Sequence, residues 1–392
     1  MSLNFLPCRE WFGGGDESEV QAVSELRRTP LYECHLRYGG KMIDFAGWAL
    51  PVQFTSIKDE HHAVRKAAGL FDVSDMGEVE ISGPQALDLV QRAVTNDASR
   101  MRVGRVMYSP MCNPRGGLID DLLVYRLGDD RFMLVVNAAN IGKDYSWLRE
   151  LSGQFPRATV TNLSDEVAQL ALQGPNSEPI LAKLTDADLS SLKYYWCQDG
   201  VEVAGVRCLV SRTGYTGEDG FELYCAPQEA PRLWEAILEA GREYGAVPAG
   251  LGCRDTLRFE AGMVLYGNEL TEETTPLEAG LGRYVKFNKG DFVGRQALLK
   301  QKEEGVRRRL VGFRMIDRGI PRHGYPIVVG GAEVGVVTSG TYAPTLDANL
   351  GLGYVPVELS APGTEICVLV RGRQLKAQVV EIPFYRREEG KR

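Results

Sequence analysis

Two adjacent aspartates, Asp120 and Asp121, lie in the middle of an apolar segment. Residues 118–125 alternate as a β-strand does, so Asp120 shares one face with Leu122, and Asp121 shares the other face with Leu123. A carboxylate in such surroundings must be hydrogen-bonded, ion-paired or shifted in pKa. The pair is therefore the best acid–base candidate in the chain. The alternative is a buried aspartate that only fixes a loop backbone.

A second candidate carboxylate, Glu222, follows the glycine-rich loop 212–220 at the start of a predicted strand. Its two oxygens can accept two parallel N–H groups, which is the edge that a pterin or a purine presents. The alternative is a half-exposed strand glutamate. Glu218, within the loop, is predicted to be a solvated turn residue. The loop lacks phosphate-binding motifs and joins two strands, so it is not a phosphate cradle.

Two arginines, Arg254 and Arg258, are four positions apart on a helix predicted over residues 251–262. Residues at this spacing share one helix face, where two guanidinium groups can hold a carboxylate tail. The alternative is internal pairing with Asp255 or Glu260.

Tyrosine is frequent in the chain, with 16 residues. Six of them fall beside the candidate polar residues and could stack on a flat ligand, although each alone could belong to the core. These are Tyr108, Tyr125, Tyr194, Tyr195, Tyr215 and Tyr385.

The elements that must position these side chains suggest two similar α/β halves. A strand, a Gly-Pro step and a helix occur at Gly83-Pro84 and again at Gly174-Pro175, 91 positions later. Residues 104–113 and 117–126 are predicted to form a hairpin, and residues 201–210 a single strand. A further helix is predicted over 229–244 from its apolar spacing.

The composition of the chain changes after Lys300, where the charged residues within 302–309 indicate a linker. Residues 309–385 contain short apolar runs separated by glycine and proline. Strands this short and frequent are typical of a compact all-β barrel or jelly roll.

Composition limits the classes of protein and the compartment. The chain has 392 residues, 45 basic and 52 acidic side chains, and a net charge of −7, which gives no general electrostatic reason to bind nucleic acid or anionic lipid. No segment approaches the ~18 apolar residues of a membrane helix. The eight scattered cysteines are typical of a reduced, cytoplasmic protein. Four histidines without metal-ligand spacing argue against a metal site. Residues 1–28 are predicted to be an extra arm, without the features of a signal or transit peptide.

Ordered motifs along the chain resemble those of one family, the aminomethyltransferase or T-protein of the glycine cleavage system. The resemblance covers Thr29 to about Arg386. The matching segments include Asp44-Phe45-Ala46-Gly47-Trp48, Phe71-Asp72-Val73-Ser74 with Met76-Gly77, Gly116-Gly117-Leu118-Ile119-Asp120-Asp121, Val135-Val136-Asn137-Ala138, residues 212–222, Ala249-Gly250-Leu251-Gly252-Cys253-Arg254-Asp255, Thr275-Pro276-Leu277-Glu278 and Pro383-Phe384-Tyr385.

This resemblance implies an α+β, three-domain cloverleaf around a central folate cavity. Two related, interleaved α/β subdomains would occupy residues 29–300, and an all-β barrel or jelly roll would occupy residues 309–386. The implied reaction moves the methylene group of S-aminomethyl-dihydrolipoyl H-protein to tetrahydrofolate. Its products are 5,10-methylenetetrahydrofolate, ammonia and dihydrolipoyl H-protein. The implied partners are tetrahydrofolate, as co-substrate, and the lipoylated H-protein.

The resemblance also implies roles for individual residues. Asp121 falls on the catalytic aspartate, Glu222 and Arg254 on folate-binding positions, and Tyr385 near a C-terminal tyrosine. Further residues expected to contact folate or substrate are Tyr108, Asn137, Tyr195, Tyr215 and Met76.

Two alternatives share the implied fold. A folate-dependent demethylase would transfer a methyl group and need no H-protein. A folate-binding accessory protein of iron–sulfur assembly would not be an enzyme, but its relatives carry a Lys-Gly-Cys-Tyr-type motif. This chain has Gly252-Cys253-Arg254-Asp255 instead.

Overall fold

The structure, a computed structural model, describes residues 26–387. Nearly all of the predicted N-terminal arm, residues 1–28, lies outside the described residues. The α-helices within the described residues are Tyr32–Arg37, Ile57–Lys66, Ala86–Ala93, Ile141–Ser152, Ser177–Leu181, Ala230–Gly241, Leu251–Glu260 and Arg295–Glu304. The strands in chain order are β1 (Arg27–Arg28), β2 (Lys41–Phe45), β3 (Trp48–Gln53), β4 (Ala68–Asp72), β5 (Gly77–Ser82), β6 (Val106–Cys112), β7 (Leu118–Gly128), β8 (Arg131–Val136), β9 (Thr159–Asn162), β10 (Ala168–Gln173), β11 (Cys197–Val203), β12 (Val206–Ser211), β13 (Gly220–Cys225), β14 (Ala246–Pro248), β15 (Arg308–Met315), β16 (Pro326–Val329), β17 (Ala332–Ala343), β18 (Ala348–Pro356), β19 (Glu365–Val370) and β20 (Arg373–Val380).

A five-stranded sheet of order β6-β7-β8-β5-β9 carries the aspartate pair on β7. Two helices, Ala86–Ala93 and Ile141–Ser152, bury their apolar sides in the same core as this sheet. The alternation of β7 directs Leu122 into that core, and Asp120 is equally inaccessible to solvent. Asp121, one residue later, has a half-buried side chain on the opposite face.

A six-stranded sheet of order β11-β12-β13-β10-β4-β14 carries Glu222 on β13. Helix Ala230–Gly241 covers this sheet and buries Trp234 and Ile237 completely. Strand β4 precedes the five-stranded sheet in the chain and β10 follows it, so the two sheets are interleaved in sequence. A small sheet of order β1-β3-β2 packs beside them.

The two Gly-Pro steps occupy equivalent places in the two halves, as the sequence predicts. Strand β5 leads through Gly83 to helix Ala86–Ala93, and strand β10 leads through Gly174 to helix Ser177–Leu181. Both glycines have positive φ, 105° and 126°, a conformation that side chains rarely adopt. The repeat of strand, Gly-Pro step and helix in the sequence therefore corresponds to a repeat in the structure.

The predicted hairpin is present as β6 and β7, which turn through residues 113–117. Asn113 holds the turn, because its Oδ1 accepts hydrogen bonds from the backbone N–H groups of Arg115 and Gly117 at 2.9 and 3.2 Å. Gly117 also lies against the chain near Glu272, whose carbonyl oxygen would stand 1.8 Å from an added Cβ. This close approach requires glycine at the entrance to the aspartate strand.

The prediction of one strand over residues 201–210 is wrong. These residues form parts of two antiparallel strands, β11 and β12, joined at Ala204 and Gly205. Both turn residues have positive φ, 51° and 73°, which matches the twist of a two-residue hairpin turn.

The C-terminal region forms a closed six-stranded barrel of order β15-β18-β17-β16-β19-β20. Its core contains fully buried Phe313, Ile327 and Val368. The charged stretch before the barrel is only partly a linker, because Lys302, Glu303 and Glu304 belong to the last turn of helix Arg295–Glu304. Two α/β units followed by a β-barrel are the predicted fold class.

Across residues 26–387, no helix combines the length and the apolar character needed to cross a membrane.

Candidate active site

A cavity of about 1260 Å³ collects the candidate residues of both sheets. Its wall includes Asp121 of the five-stranded sheet, Glu222 of the six-stranded sheet and Arg254 of the helix that follows. Leu310 of the barrel and Pro383 after the last barrel strand complete it. Every part of the fold therefore contributes to one enclosure, which is large enough for a cofactor-sized ligand.

Asp121 is held at the cavity wall by two neighbours. The hydroxyl of Tyr108, on the adjacent strand β6, donates to Asp121 Oδ2 at 3.0 Å. The side-chain amide of Asn137 donates to Asp121 Oδ1 at 3.1 Å and to the Asp121 carbonyl oxygen at 3.0 Å. These contacts fix the carboxyl group in one orientation, as an acid–base residue requires.

Asp120 does not line the cavity but fixes the chain at Asn137 and Asn140 through hydrogen bonds. Its Oδ2 accepts the Asn137 backbone N–H at 3.0 Å, and its Oδ1 accepts the side-chain amides of Asn137 and Asn140 at 2.8 and 2.7 Å. The loop-fixing interpretation therefore describes Asp120, whereas the acid–base role of Asp121 stays a prediction. Asp120 fixes a loop, and Asp121 faces the cavity.

Burial, together with the neighbouring charge of Asp120, raises the pKa of Asp121 to about 7. The hydrogen bonds from Tyr108 and Asn137 act in the opposite direction, because they stabilise the carboxylate. A carboxyl group with this pKa can take up and release a proton near neutral pH.

Glu222 is buried, with 5% of its surface exposed, and its two oxygens have different partners. Gln169 Nε2 donates to Glu222 Oε1 at 3.3 Å, and the hydroxyl of Thr213 donates to Oε2. Burial raises the pKa of Glu222, while Thr213 and the positive charge of Arg254 lower it. Gln169 Oε1 is buried at the same wall and accepts no hydrogen bond from any residue in 26–387. Acceptor oxygens of Glu222 and Gln169 thus lie side by side.

The two arginines of helix Leu251–Glu260 have separate roles. Arg254 lines the cavity, and its guanidinium carbon lies 5.0 Å from the ring centre of Tyr215. No carboxylate in the described part of the chain lies close enough to Arg254 for an ion pair. It therefore faces the cavity as an available cation.

Arg258 does not line the cavity, and the alternative of internal pairing with Asp255 is correct for this arginine. Its side chain is 1% exposed and donates to Asp255 Oδ1 at 2.8 Å, Glu269 Oε2 at 2.9 Å and the Ser339 hydroxyl at 2.9 Å. Because Ser339 belongs to β17, Arg258 joins the helix to the barrel. The carboxylate Glu269, distant in sequence, is the partner that spacing along the helix could not indicate.

Aromatic and sulfur side chains form much of the remaining wall. Tyr108, Tyr195, Tyr215 and Met76 line the cavity, as does Asn137. The hydroxyl of Tyr215 donates to the carbonyl oxygen of Val264. These residues are therefore placed together as expected, although their contacts with a ligand stay a prediction.

Tyr385 is not among the residues that line the cavity. Its hydroxyl donates to Glu218 Oε1 at 2.8 Å, and its ring lies 4.0 Å from the guanidinium carbon of Arg65. Glu218 is consequently buried, with 6% of its side chain exposed, and it also accepts from Arg65 at 2.9 Å. The prediction that Glu218 is a solvated turn residue is wrong, because the C-terminal segment folds back over the loop.

Among the cavity residues that were not singled out from the sequence, three have side chains that bear on the candidate site. Gln169 is the acceptor beside Glu222, Tyr284 packs edge-on against Tyr108 with ring centres 4.7 Å apart, and Asp75 is a buried carboxyl group. Burial and the charge of Asp72, opposed by Arg254, raise the pKa of Asp75 to about 7. A polar residue within an apolar run is the signal that could have marked Gln169.

The outer wall is rich in positive charge. Besides Arg254, six cavity-lining cations are exposed or half-exposed, although the chain as a whole is acidic. They are Arg100, Arg105, Arg283, Lys286, Arg309 and Arg386.

Comparison with known proteins agrees with this arrangement. The family described as "GCVT N-terminal domain" matches residues 31–289, and the "Glycine cleavage T-protein C-terminal barrel domain" matches residues 308–386. A curated aminomethyltransferase from Thermoanaerobacter sp. (strain X514) is 55% identical over 365 residues, which cover 93% of this chain and 99% of the relative. An aminomethyltransferase from Geobacillus sp. (strain WCH70) is 56% identical over 363 residues, which cover 92% of this chain and 99% of the relative.

The crystal structure of the glycine cleavage system aminomethyltransferase T from Bartonella henselae superimposes with a TM-score of 0.86. Its sequence is 35% identical, and the match covers 92% of this chain and 98% of that one. Because the family profiles, the curated relatives and the solved structure agree over nearly the whole chain, this chain belongs to the aminomethyltransferase, or glycine cleavage T-protein, family.

Proposed function

We propose that this chain is the tetrahydrofolate-dependent aminomethyltransferase of glycine cleavage. Its substrate is the aminomethyl group carried on the lipoyl arm of the H-protein. The carbon–sulfur and carbon–nitrogen bonds of that group break, and two bonds form from the carbon to folate nitrogens. The two hydrogens displaced from the folate leave on the dihydrolipoyl sulfur and on ammonia, so the reaction needs no oxidant.

The observation that carries the proposal is the placement of Asp121, Glu222 and Arg254 around one cavity in a chain that belongs to this family. Glu222 and the unpartnered Gln169 Oε1 offer acceptors to the N–H edge of the pterin. Arg254, which has a free guanidinium group, suits an acceptor group of the folate. The tyrosines of the wall suit the faces of its flat rings.

In this mechanism Asp121 moves protons. When ammonia leaves, the carbon between sulfur and nitrogen becomes electrophilic, and a folate nitrogen attacks it. The ionised Asp121 accepts the proton that this nitrogen loses and passes it to a leaving group. Because the pKa of Asp121 lies near 7, both directions of transfer are possible at neutral pH. Positioning of the reactants within the cavity supplies further acceleration.

The H-protein is proposed to approach the basic wall formed by Arg100, Arg105, Arg283, Lys286, Arg309 and Arg386. Positive charge at this opening attracts acidic partners and ligands and accelerates their encounter. The lipoyl arm would then enter toward Asp121 through the same opening.

A cytoplasmic location stays a prediction. The cysteines within residues 26–387 are all free thiols, which supports a reducing compartment.

The demethylase and the accessory protein of iron–sulfur assembly receive no comparable support, since the two curated relatives described above are aminomethyltransferases.

One assay tests the function. Protein, tetrahydrofolate and aminomethylated H-protein are mixed, and the formation of methylenetetrahydrofolate is followed. The wild type should give product, and Asp121→Asn should lower kcat by about 100-fold or more, because general acid–base groups contribute on that order. Asp130→Asn is the matched control, because Asp130 is exposed on the turn after the same strand. No product from the wild type would refute the function, and full activity of Asp121→Asn would refute the catalytic role.

A further inference from the structure

A buried carboxyl group, Asp144, lies behind the aspartate pair and has no part in the mechanism above. It belongs to the first turn of helix Ile141–Ser152. The residue before this helix, Asn140, donates to Asp120 Oδ1 at 2.7 Å. Lys143 donates to the carbonyl oxygen of Ile119 at 2.6 Å. The start of the helix is therefore tied to the residues that carry the aspartates.

Asp144 follows Asn140 by four positions, so both side chains lie on the same face of the chain as it enters the helix. Helical side chains lean toward the N-terminus, which directs Asp144 back over Asn140 and toward Asp120. The side chain of Asp144 is fully buried, and neither of its oxygens accepts a hydrogen bond from any residue the structure describes. An ionised carboxylate in this place would lose its hydration without compensation.

The hydrogen bonds of Asp120 leave room for one more donor. A carboxylate offers about four acceptor positions. In Asp120, Oδ1 accepts the two side-chain amides of Asn137 and Asn140, whereas Oδ2 accepts only the Asn137 backbone N–H. A carboxylic acid on Asp144 would supply the missing donor, and an ionised Asp144 would repel Asp120.

The charges around Asp144 agree with a neutral side chain. Burial raises its pKa strongly, and the charge and proximity of Asp120 raise it further. Lys143 on the same helix lowers it, and Asp121 raises it slightly. Two further titratable groups lie on this side: Tyr266 accepts a hydrogen bond from Lys143, and Glu272 lies 3.7 Å from the Lys143 ammonium group.

We propose that Asp144 is a positioning residue, a neutral carboxylic acid that donates a hydrogen bond to Asp120 and so holds Asn137 and, through Asn137, Asp121. Only the expected effects on kcat and on the pH profile rest on the proposed function. Asp120 and Asp144 then carry one negative charge between them. The proton affinity of Asp121 depends on that single neighbouring charge.

Two substitutions separate this role from a general structural one. Asn in place of Asp144 is neutral, has nearly the same shape and keeps an N–H donor, so Asp144→Asn should retain kcat within about 3-fold and keep the pH profile. Ala removes the donor, so Asp144→Ala should lower kcat by about 10-fold or more, leave the KM for tetrahydrofolate unchanged and shift the acidic limb of the pH profile.

Infrared spectroscopy tests the protonation state without any assay. The difference spectrum between the wild type and Asp144→Asn at neutral pH should contain the carbonyl stretch of a protonated carboxylic acid. This band keeps the inference testable if the wild type makes no methylenetetrahydrofolate, or if Asp144→Ala does not fold.

Three results would overturn the proposal. The first is full activity with an unchanged pH profile in a folded Asp144→Ala variant. The second is an Asp144→Asn variant as impaired as Asp144→Ala, because an ionised carboxylate would then be required. The third is the absence of the protonated carboxyl band from the difference spectrum.

Discussion

The hydroxyl of Tyr108 donates a hydrogen bond to Oδ2 of Asp121 across 3.0 Å, at the wall of the cavity. The two residues come from neighbouring strands of one hairpin, β6 and β7, so the turn that joins these strands also sets this contact. The hydrogen bond stabilises the carboxylate and lowers the pKa of Asp121, against the opposing effect of burial.

Removal of this hydroxyl should therefore change the pH dependence of the reaction. In Tyr108→Phe the pKa of Asp121 should rise, and the acidic limb of kcat should move to higher pH, because the ionised form is the proton acceptor. We expect kcat near neutral pH to fall by about 10-fold, which corresponds to the loss of one hydrogen bond to a charged group. Tyr342→Phe is the control, since it removes a tyrosine–aspartate hydrogen bond on the surface of the barrel. An unchanged pH profile in Tyr108→Phe would contradict this account of the contact.

Substitution of Glu222 should weaken folate binding more than turnover. Glu222→Gln replaces one acceptor oxygen by a donor beside Thr213 and Gln169, so the KM for tetrahydrofolate should rise by about 10- to 100-fold. Steady-state kinetics at saturating H-protein measure this change. Glu202→Gln, an exposed glutamate on strand β11, should behave as the wild type. Equal KM values for the wild type and Glu222→Gln would rule out the assigned contact.

The buried carboxyl group of Asp75 should make stability depend on pH. Its pKa is raised to about 7 in the folded state, whereas a free aspartate titrates near ~3.9. Between these values the folded protein retains a proton that the unfolded chain has lost. The free energy of unfolding should therefore fall as pH rises from about 4 to about 7.

Asp75→Asn removes this titration. Urea unfolding at about pH 5 and about pH 8 should give a smaller loss of stability for Asp75→Asn than for the wild type. Asp88→Asn is a suitable control, because Asp88 is exposed on helix Ala86–Ala93. The prediction fails if the wild type and Asp75→Asn lose the same stability between the two pH values.

The turn before the aspartate strand should tolerate no side chain at Gly117. In Gly117→Ala the new methyl group would meet the carbonyl oxygen of Glu272, and the forced shift should cost about 1–3 kcal/mol and displace Asp121. The Tm from thermal unfolding and the kcat should both decrease. Gly142→Ala provides the contrast, because this helical position has open space and should gain about 0.5–1 kcal/mol. A Gly117→Ala variant as stable as the wild type would show that the chain near Glu272 moves aside freely.

The sequence by itself determined features that depend on local periodicity. Alternation along β7 separated Asp120 from Asp121, and the structure places them on opposite faces of the sheet. The Gly-Pro steps at Gly83 and Gly174 marked two similar halves. The ordered motifs indicated the family, which the comparisons confirm. Each of these signals lies within a short stretch of chain, where backbone geometry decides which way a side chain points.

Only the tertiary structure decided which distant groups meet. Arg258 and Arg254 share a helix, but Glu269 and Ser339 bind Arg258 and leave Arg254 to the cavity. The sequence predicted a solvated Glu218, but in the folded chain Tyr385 packs over this residue and donates a hydrogen bond to it. Burial and pairing set the charge state and the availability of an ionisable side chain, and both depend on residues far away in sequence. The aspartate pair could therefore be found from the sequence, whereas the hydrogen bonds of each aspartate and the cavity that Asp121 faces required the fold.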